Sequence, residues 1–200
     1  TIEISGTLPA GASVAYENNG RTNVGNQQVT ARITGSNFDD FVLTADLEIT
    51  PATIRGITFE DGNFVFDGTE KTLEISGTLP NGVSVAYTDN TRTNVGAQQA
   101  TATISGDNYT TLVLNAELTI SPATITGFTF EDGSFVFDGT EKTIEISGTL
   151  PAGASVAYEN NGRTNVGNQQ VTARITGSNF DDFVLTADLE ITPATIRGIT

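Results

Sequence analysis

Cysteine, histidine, methionine and tryptophan are all missing from this chain of 200 residues, and only nine basic residues accompany 24 acidic ones. Without cysteine there is no disulfide and no thiol nucleophile, and without histidine the commonest catalytic base and metal ligand is absent. Acidic neighbours remain, but adjacent residues of a strand point to opposite faces and make a poor acid–base pair. We therefore expect that the protein is not an enzyme and has no cofactor.

The scarcity of positive charge excludes further classes of function. A formal net charge of −15 leaves too little positive charge to neutralise a phosphate backbone, so nucleic acid is not expected as a partner. Anionic lipid is disfavoured for the same reason, and the sequence has no apolar run long enough to insert into a membrane. We interpret the negative charge as keeping an exposed chain soluble. The alternative interpretation is that the acidic residues bind calcium at domain junctions.

What the chain does contain is an internal repeat. Three threonines spaced by 71 residues open closely similar segments: Thr1, Thr72 and Thr143. Residues 1–58 and 143–200 are identical, whereas residues 72–129 match residues 1–58 at 37 of 58 positions. Two versions of one unit therefore alternate in the order A-B-A. Such arrays are built for length or multivalency more often than for chemistry.

A Pro-Ala-Thr-Ile step marks each boundary between repeats. It begins at Pro51, Pro122 and Pro193, each time after a strand-like segment. Proline cannot donate to a strand ladder, so it suits the connection between two strands, and the lack of a Gly/Ser linker favours a stiff array. The first predicted domain, 1–51 (repeat 1), is a partial A repeat that lacks its first strands. A complete B repeat, 52–122 (repeat 2), and a complete A repeat, 123–193 (repeat 3), follow. Residues 194–200 are the start of another repeat.

Within each repeat, short runs rich in Val, Ile, Thr and Phe alternate with turn residues. In repeat 3 this pattern predicts about six strands: roughly 123–130, 135–137, 142–149, 154–159, 169–176 and 183–192. No segment has a helical period. The predicted fold class is all-β, with small antiparallel, Ig-like β-sandwich repeats of 71 residues forming an elongated rod. Because this is short for an immunoglobulin domain, a β-grasp-like module stays open, although it would need a helix.

Several motifs of repeat 3 resemble those of a known family. They are FVFDGTEK at 135–142, ISGTLPAG at 146–153, VAYENN at 156–161, NVG at 165–167, GSNF at 177–180 and LEITPA at 189–194. As a set they are similar to the turn and core signatures of MBG-type bacterial repeats, and the resemblance covers nearly the whole chain. It implies a secreted, surface-attached bacterial protein of tandem Ig-like modules. In that family the repeats typically form the stalk of a large adhesin under a distal binding domain, with no catalytic residues.

Two acidic turns are candidate calcium sites, Glu60-Asp61 and Glu131-Asp132, each followed by glycine. Calcium takes six to eight oxygen ligands, and no EF-hand or nonapeptide motif surrounds these pairs, so an acidic hairpin tip is the simpler interpretation. The two lysines, Lys71 and Lys142, occupy the same place in successive repeats. A Lys–Asn isopeptide bond would need a buried lysine, and the solvated start of a strand is again the simpler interpretation.

These observations favour an extracellular structural stalk, or spacer, of a bacterial cell-surface adhesin that projects a distal binding domain. One alternative is a multivalent module that binds host glycan or protein through many weak sites. Another is side-by-side assembly, which the negative charge opposes at low salt. The expected partners are the neighbouring repeats of the same chain, with host glycan or protein bound through other domains, and we expect a monomer.

Overall fold

The computed structural model describes residues 1–198, and every regular element in that range is a β-strand. Repeat 1 contains β1 (Ser13–Glu17), β2 (Gly25–Gly35) and β3 (Phe38–Ile49). Repeat 2 contains β4 (Ala52–Thr53), β5 (Gly62–Val65), β6 (Lys71–Thr72), β7 (Ser84–Thr88), β8 (Thr91–Arg92), β9 (Gly96–Ser105), β10 (Tyr109–Thr110) and β11 (Leu112–Ser121). Repeat 3 contains β12 (Gly133–Val136), β13 (Ala154–Glu159), β14 (Gly167–Gly177) and β15 (Phe183–Thr192).

One main sheet dominates each repeat. The strand order is β12-β15-β14-β13 in repeat 3 and the matching β5-β11-β9-β7 in repeat 2, whereas repeat 1 has three strands in the order β1-β2-β3. In repeat 3 the strands β13, β14 and β15 pair antiparallel, with Val171 opposite Ala187 and Ala173 opposite Leu185. Directly opposed residues share a face, so the apolar side chains of neighbouring strands collect on one side of the sheet.

In each complete repeat the strand that begins at the acidic turn adds to the main sheet in parallel, β12 beside β15 and β5 beside β11. A parallel pair cannot be joined by a tight hairpin, so the chain crosses over the sheet before it returns. The crossing segments pack on the apolar face, where Ile125, Phe128 and Ile144 are buried. The result is an all-β sandwich of one regular sheet and one second layer, which confirms the predicted fold class.

The second layer is less regular than the sequence predicted. The sequence predicts continuous strands over residues 123–130 and 142–149, yet only isolated bridges occur there: Ala123 with Phe180, Thr129 with Ser147, and Lys142 with Arg163. Gly127 and Gly148 have φ angles of +84° and +132°, far from the extended region, and neither lies in a regular strand, so each glycine bends its segment. The prediction of two regular strands was therefore wrong, although both segments still bury apolar side chains.

The core follows the predicted alternation closely in the regular strands. Along β15, Ala187, Leu189 and Ile191 are buried while Val184 on the outer face is 49% exposed. No polar or charged side chain is buried within the described part of the chain. Because a fully buried leucine or isoleucine stabilises the fold by about 1.5–3 kcal/mol, a few such positions supply much of the stability of each repeat.

The chain divides into two compact units that do not follow the repeat boundaries. Unit 1 comprises Thr1–Glu60, Glu74–Asn90 and Ala100–Ala116, and unit 2 comprises Asp61–Leu73, Thr91–Gln99 and Glu117–Thr200. Unit 1 contains Pro51 and unit 2 contains Pro122, so each unit encloses one junction between sequence repeats. Among residues 1–198, no helix is long and apolar enough to cross a membrane.

Candidate functional site: the asparagine joint

The three junction prolines lie outside the strands and are exposed. Pro51 separates β3 from β4, and Pro122 directly follows β11. Because proline has no N–H group, the first backbone donor of the next repeat is the following alanine, Ala52 or Ala123. Both alanines donate to the backbone carbonyl of an asparagine, Asn108 at 2.9 Å and Asn179 at 3.0 Å.

Each of these asparagines lies in a tight turn, which we call the donor loop: residues 106–109 in repeat 2 and 177–180 in repeat 3. The turn is closed by a backbone hydrogen bond, from Tyr109 to Gly106 at 2.9 Å and from Phe180 to Gly177 at 3.0 Å. After the turn, β10 pairs in parallel with β4, and Phe180 makes the equivalent parallel bridge to Ala123. The donor loop therefore fastens the chain that enters its own repeat.

At the second junction the side chain of Asn179 reaches the preceding repeat. Its Oδ1 accepts a hydrogen bond from the backbone N–H of Val95 at 2.9 Å, and its Nδ2 donates to Asn94 Oδ1 at 3.1 Å. An amide is the side chain that can both accept and donate in this way. Asn179 of repeat 3 thus contacts both the connecting Ala123 and residues 94–95 of repeat 2.

The first junction repeats this geometry. Asn108 Oδ1 accepts from the N–H of Val24 at 2.8 Å, and Asn108 Nδ2 donates to Asn23 Oδ1 at 3.1 Å. The first junction joins an A repeat to a B repeat and the second joins B to A, yet the partners and distances agree. We call this arrangement the asparagine joint, because both versions of the repeat build it in the same way.

The asparagine contacts residues 21–25 in repeat 1 and residues 92–96 in repeat 2. We call these segments, and the equivalent residues 163–167 of repeat 3, the acceptor loops. An arginine at the start of each acceptor loop holds it in place. In repeat 2, Arg92 Nη2 donates to the carbonyl of Val95 at 2.8 Å and Nη1 donates to Gln98 Oε1 at 3.1 Å. Gly96 has φ of +131°, and a Cβ atom there would lie 2.2 Å from Arg92 Nη2. Glycine is therefore needed both for the backbone conformation and for the space that the guanidinium fills.

The acceptor loop takes the same form where no donor loop contacts it. In repeat 3, Arg163 donates to the Val166 carbonyl at 3.1 Å and to Gln169 Oε1 at 3.2 Å. Val166 is nevertheless 48% exposed, while Val24 and Val95 are half-buried. The loop is preorganised by its own arginine, which lowers the entropy that docking must overcome.

An aromatic contact adds an apolar part to the second joint. The rings of Phe66 and Phe180 meet edge to face with centroids 5.5 Å apart. A shallow groove of about 320 Å³ beside them is lined by Phe66, Asp67, Gly68, Pro151, Ala152 and Phe180. Edge-to-face pairs of this kind contribute about 0.5–1.5 kcal/mol beyond the area that they bury.

The lysines proposed for isopeptide bonds lie at the end of the turn that follows Phe66 and at the end of its counterpart in repeat 3. Lys71 Nζ lies 2.6 Å from Asp67 Oδ2 and donates to Thr69, and Lys142 forms the same pair with Asp138. Hydrogen bonds from Lys71 and Thr69 hold the pKa of Asp67 well below its usual range. Within residues 1–198, the ammonium groups of these lysines thus hydrogen-bond to aspartate and threonine and not to asparagine.

The acidic pairs proposed for calcium serve as backbone caps. Asp61 Oδ1 accepts from the N–H of Glu117 at 2.7 Å, and Asp132 Oδ1 accepts from Asp188 at 2.8 Å. Glu60 and Glu131 are exposed. Within residues 1–198 no group of three or more acidic, histidine or cysteine side chains is arranged to hold a metal ion. Each aspartate thus fastens its turn to the last strand of the same repeat.

Sequence reasoning missed the joint. Its parts, Gly-x-Asn-aromatic and Arg-Thr-Asn-Val-Gly, recur in all three copies, but they were interpreted only as turn signatures. The asparagine and the valine that it binds are 84 residues apart, so no local pattern relates them. A signal was available in the recurrence of an unexplained asparagine at the same place in every copy.

Comparison with known proteins identifies no family. No family model matches the chain, and no curated protein matches it. Among solved structures it is similar to Sidekick-1 immunoglobulin domains 1–5, with 12% identity, 92% of this chain and 53% of that chain covered, and a TM-score of 0.31. A SusE-like, surface-located polysaccharide-binding protein from the Bacteroides thetaiotaomicron heparin utilisation locus gives 12% identity, 88% and 44% coverage and a TM-score of 0.30.

Extracellular domains 3–5 of Drosophila OTK are similar at 11% identity, with 84% of this chain and 71% of that chain covered and a TM-score of 0.30. The chain spans about half the length of the first two of these structures. At such TM-scores the likeness assigns neither a family nor a function to this chain.

Proposed function

We propose that this chain is a spacer segment of a bacterial cell-surface adhesin, extracellular and related to MBG-type repeats, whose joints hold successive repeats at a fixed angle. The observation that carries this proposal is the asparagine joint, found at both junctions with the same partners. A chain of freely rotating beads has no need for an identical bridge at each connection. A stalk that must keep a distal domain at a distance does need one.

The energetics of the joint support a stiff connection. In each joint one asparagine takes part in three hydrogen bonds, accepting two and donating one, and a typical protein hydrogen bond contributes about 0.5–1.5 kcal/mol net. The covalent connection between β3 and β4 is only two residues, Thr50 and Pro51. The short connection and the hydrogen bonds of the asparagine beside it both restrain bending between repeats. With bending restrained, the number of repeats determines how far the stalk reaches.

The distribution of exposed aromatic residues favours the spacer over a repeated binding module. Phe38 and Phe137 are exposed, but their counterparts Phe180 and Phe66 are half-buried against each other at the second joint. A multivalent binder would present the same aromatic surface on every copy. Here the shared aromatic residues are used to connect repeats.

The decisive experiment removes both asparagine bridges and measures flexibility in solution. We expect small-angle scattering of the wild-type chain to give a narrow distribution of maximum dimension. The double variant Asn108→Ala, Asn179→Ala should broaden that distribution while circular dichroism stays unchanged. Asn37→Ala is the matched control, because this asparagine occupies the same place in repeat 1 without a preceding repeat in the structure. A double variant as rigid as the control would refute the proposal.

A further inference from the structure

We propose that Asn81 is a site of spontaneous chemical modification, at which the backbone nitrogen of Gly82 displaces the side-chain amide, and that the first asparagine joint is loosened as a result. The inference does not need the stalk function. It rests on an asparagine–glycine step in a turn of repeat 2. At the same place in the A repeats alanine precedes the glycine, as Ala10-Gly11 and Ala152-Gly153.

The chemistry of this step needs only water. Glycine has no side chain to shield its backbone nitrogen, so an asparagine–glycine step can close on itself. The N–H proton of Gly82 passes to solvent, the nitrogen bonds to Cγ of Asn81, and the Cγ–Nδ2 bond breaks to release ammonia. Water then opens the cyclic imide at either carbonyl and leaves aspartate or isoaspartate. Because the N–H proton must leave, the reaction is faster at higher pH.

The turn that contains Asn81 leaves both reacting groups free. Residues 80–83 form a turn closed by one backbone hydrogen bond, from Val83 to Pro80 at 3.2 Å. Asn81 and Gly82 are exposed, and Gly82 has φ of +75°. Within residues 1–198, no atom of a non-adjacent residue lies within 4 Å of a Cβ added at Gly82, and no group hydrogen-bonds to the Asn81 carboxamide or the Gly82 N–H. The carboxamide is therefore free to rotate towards the nitrogen.

The exposure of this turn does not depend on a missing neighbour. In repeat 3 the equivalent turn lies beside repeat 2, where Pro151 and Ala152 line the groove next to Phe66. Ala152 and Gly153 are nevertheless exposed. Solvent therefore reaches this position whether or not another repeat is packed beside the turn.

The other two asparagine–glycine steps of the chain are held by hydrogen bonds. Asn161 Oδ1 accepts from the N–H of Ile144 at 2.9 Å, and its Nδ2 donates to the carbonyl of Ile144 at 2.7 Å. Gln169 Nε2 also donates to the backbone carbonyls on either side of Asn161, at 2.6 and 3.1 Å. Asn19 makes the same two bonds with Ile2 in repeat 1. These carboxamides must break two hydrogen bonds before they can be attacked, so both steps are internal references.

The turn at Asn81 packs directly against the donor loop of the first joint. The carbonyl oxygen of Gly82 lies 2.5 Å from the position of a Cβ added at Gly106, the first residue of that loop. On the other side, Val83 packs against the buried cluster that contains Ile54. The main chain of the turn is therefore confined between the donor loop and the core of repeat 2.

Isoaspartate in place of Asn81 carries the main chain through Cβ and lengthens this confined turn by one atom. We expect the lengthening to displace the donor loop and to weaken the 2.8 Å hydrogen bond from the Val24 N–H to Asn108 Oδ1. The second joint has Ala152 at the equivalent place and should stay intact. Aspartate, the other product, keeps the length of the main chain and should leave the first joint unchanged.

Peptide mapping measures the reaction, because cleavage after arginine and lysine places each asparagine–glycine step in its own peptide: 1–21, 72–92 and 143–163. The folded chain is incubated for weeks at physiological temperature in mildly alkaline buffer, and the peptides are compared by mass and retention time. We expect deamidation in 72–92 to be at least about tenfold faster than in the other two, where two hydrogen bonds must open first. In guanidinium chloride the three rates should converge.

Two variants test whether the turn itself confers the reactivity. Asn81→Ala restores the residue of the A copies and should abolish the fast deamidation of peptide 72–92. Ala152→Asn introduces the same step into the equivalent turn of repeat 3 and should react at a rate close to that of Asn81. Equal rates in the three peptides of the folded wild type overturn the inference. A spread of rates that persists in denaturant overturns it too, because the fold would then have no part in the selectivity.

Hydrogen exchange of the aged chain tests the effect on the joint. In molecules that carry isoaspartate, the amide of Val24 should exchange faster than in fresh protein, while the amide of Val95 at the second joint stays protected. Aged Asn81→Ala is the control for other effects of incubation and should retain the protection of Val24. Unchanged protection of Val24 in molecules with isoaspartate overturns the link to the joint.

None of these results bears on the flexibility of the variants in Asn108 and Asn179. The proposed function and this inference can therefore fail separately.

Discussion

At the scale of the residue, the asparagine joint depends on a side chain that accepts and donates at once. Asn179→Ala removes both bonds and leaves the half-buried N–H of Val95 without its acceptor, which typically costs about 1–3 kcal/mol. We expect the amide of Val95 to exchange as fast as that of Val166, the reference without a donor loop in the same chain. Asn37→Ala should leave the exchange of Val95 unchanged. Continued protection of Val95 in Asn179→Ala would show that another group holds the loop.

Gly96 offers a second test of the acceptor loop. In Gly96→Ala the backbone strain costs about 1–3 kcal/mol, and displacing Arg92 also weakens hydrogen bonds from a charged group worth about 1.5–3 kcal/mol. Gly68→Ala is the control, because Gly68 has φ of +79° but no atom within 4 Å of an added Cβ. Urea unfolding should show a larger loss of stability for Gly96→Ala. Equal losses would mean that the arginine does not constrain the loop.

The pH dependence of stability follows from the depressed pKa of Asp67 and Asp138. Hydrogen bonds from a lysine and a threonine lower both values in the folded state. A lowered folded pKa stabilises the protein above the unfolded value of about 3.9, and this contribution disappears as the pH falls from there towards the folded value. Melting temperatures between pH 7 and pH 2 should therefore fall more for the wild type than for Asp67→Asn, Asp138→Asn. Parallel curves would contradict this assignment.

At the scale of the element, the sequence predicted the antiparallel strands β13, β14 and β15 well and the second layer poorly. The strands were predictable because alternation of apolar and polar residues directly encodes which face is buried. Parallel pairing of β12 with β15 is non-local, and nothing in residues 133–136 indicates it. The joint escaped prediction for a similar reason, because hydrogen bonds across 84 residues leave no local trace.

Burial distinguishes a core position in the second layer from an exposed position in the main sheet. Ile144 is 7% exposed and packs against Val171 and Leu189, so Ile144→Ala should cost about 2–5 kcal/mol in urea unfolding. Val136 on the outer face of β12 is 60% exposed, and its replacement by alanine should change stability by about 0.5 kcal/mol or less. If both variants lose the same amount, the irregular segment does not contribute to the core as the structure indicates.

At the scale of the whole molecule, the joint does not require the alternation of A and B versions. Both versions carry the same asparagine, valine, arginine and glycine at the joint, and they differ at other positions. Adjacent β domains of identical sequence risk exchanging strands while they fold, and repeat proteins commonly misassemble in this way. Two alternating versions would reduce that risk because a strand from one version fits the other sheet less well.

This hypothesis predicts a difference in folding without a difference in the final joint. Replacing residues 72–129 by the sequence of residues 1–58 gives three A-type copies, and the amide of Val95 should stay protected once folded. Refolding from urea at rising protein concentration should then yield less monomer and more light scattering than for the wild-type chain. Domain swapping leaves exchanged dimers that persist on dilution, which distinguishes them from reversible association. An A-A-A chain that refolds as cleanly as A-B-A would mean that the alternation has no role in preventing misassembly.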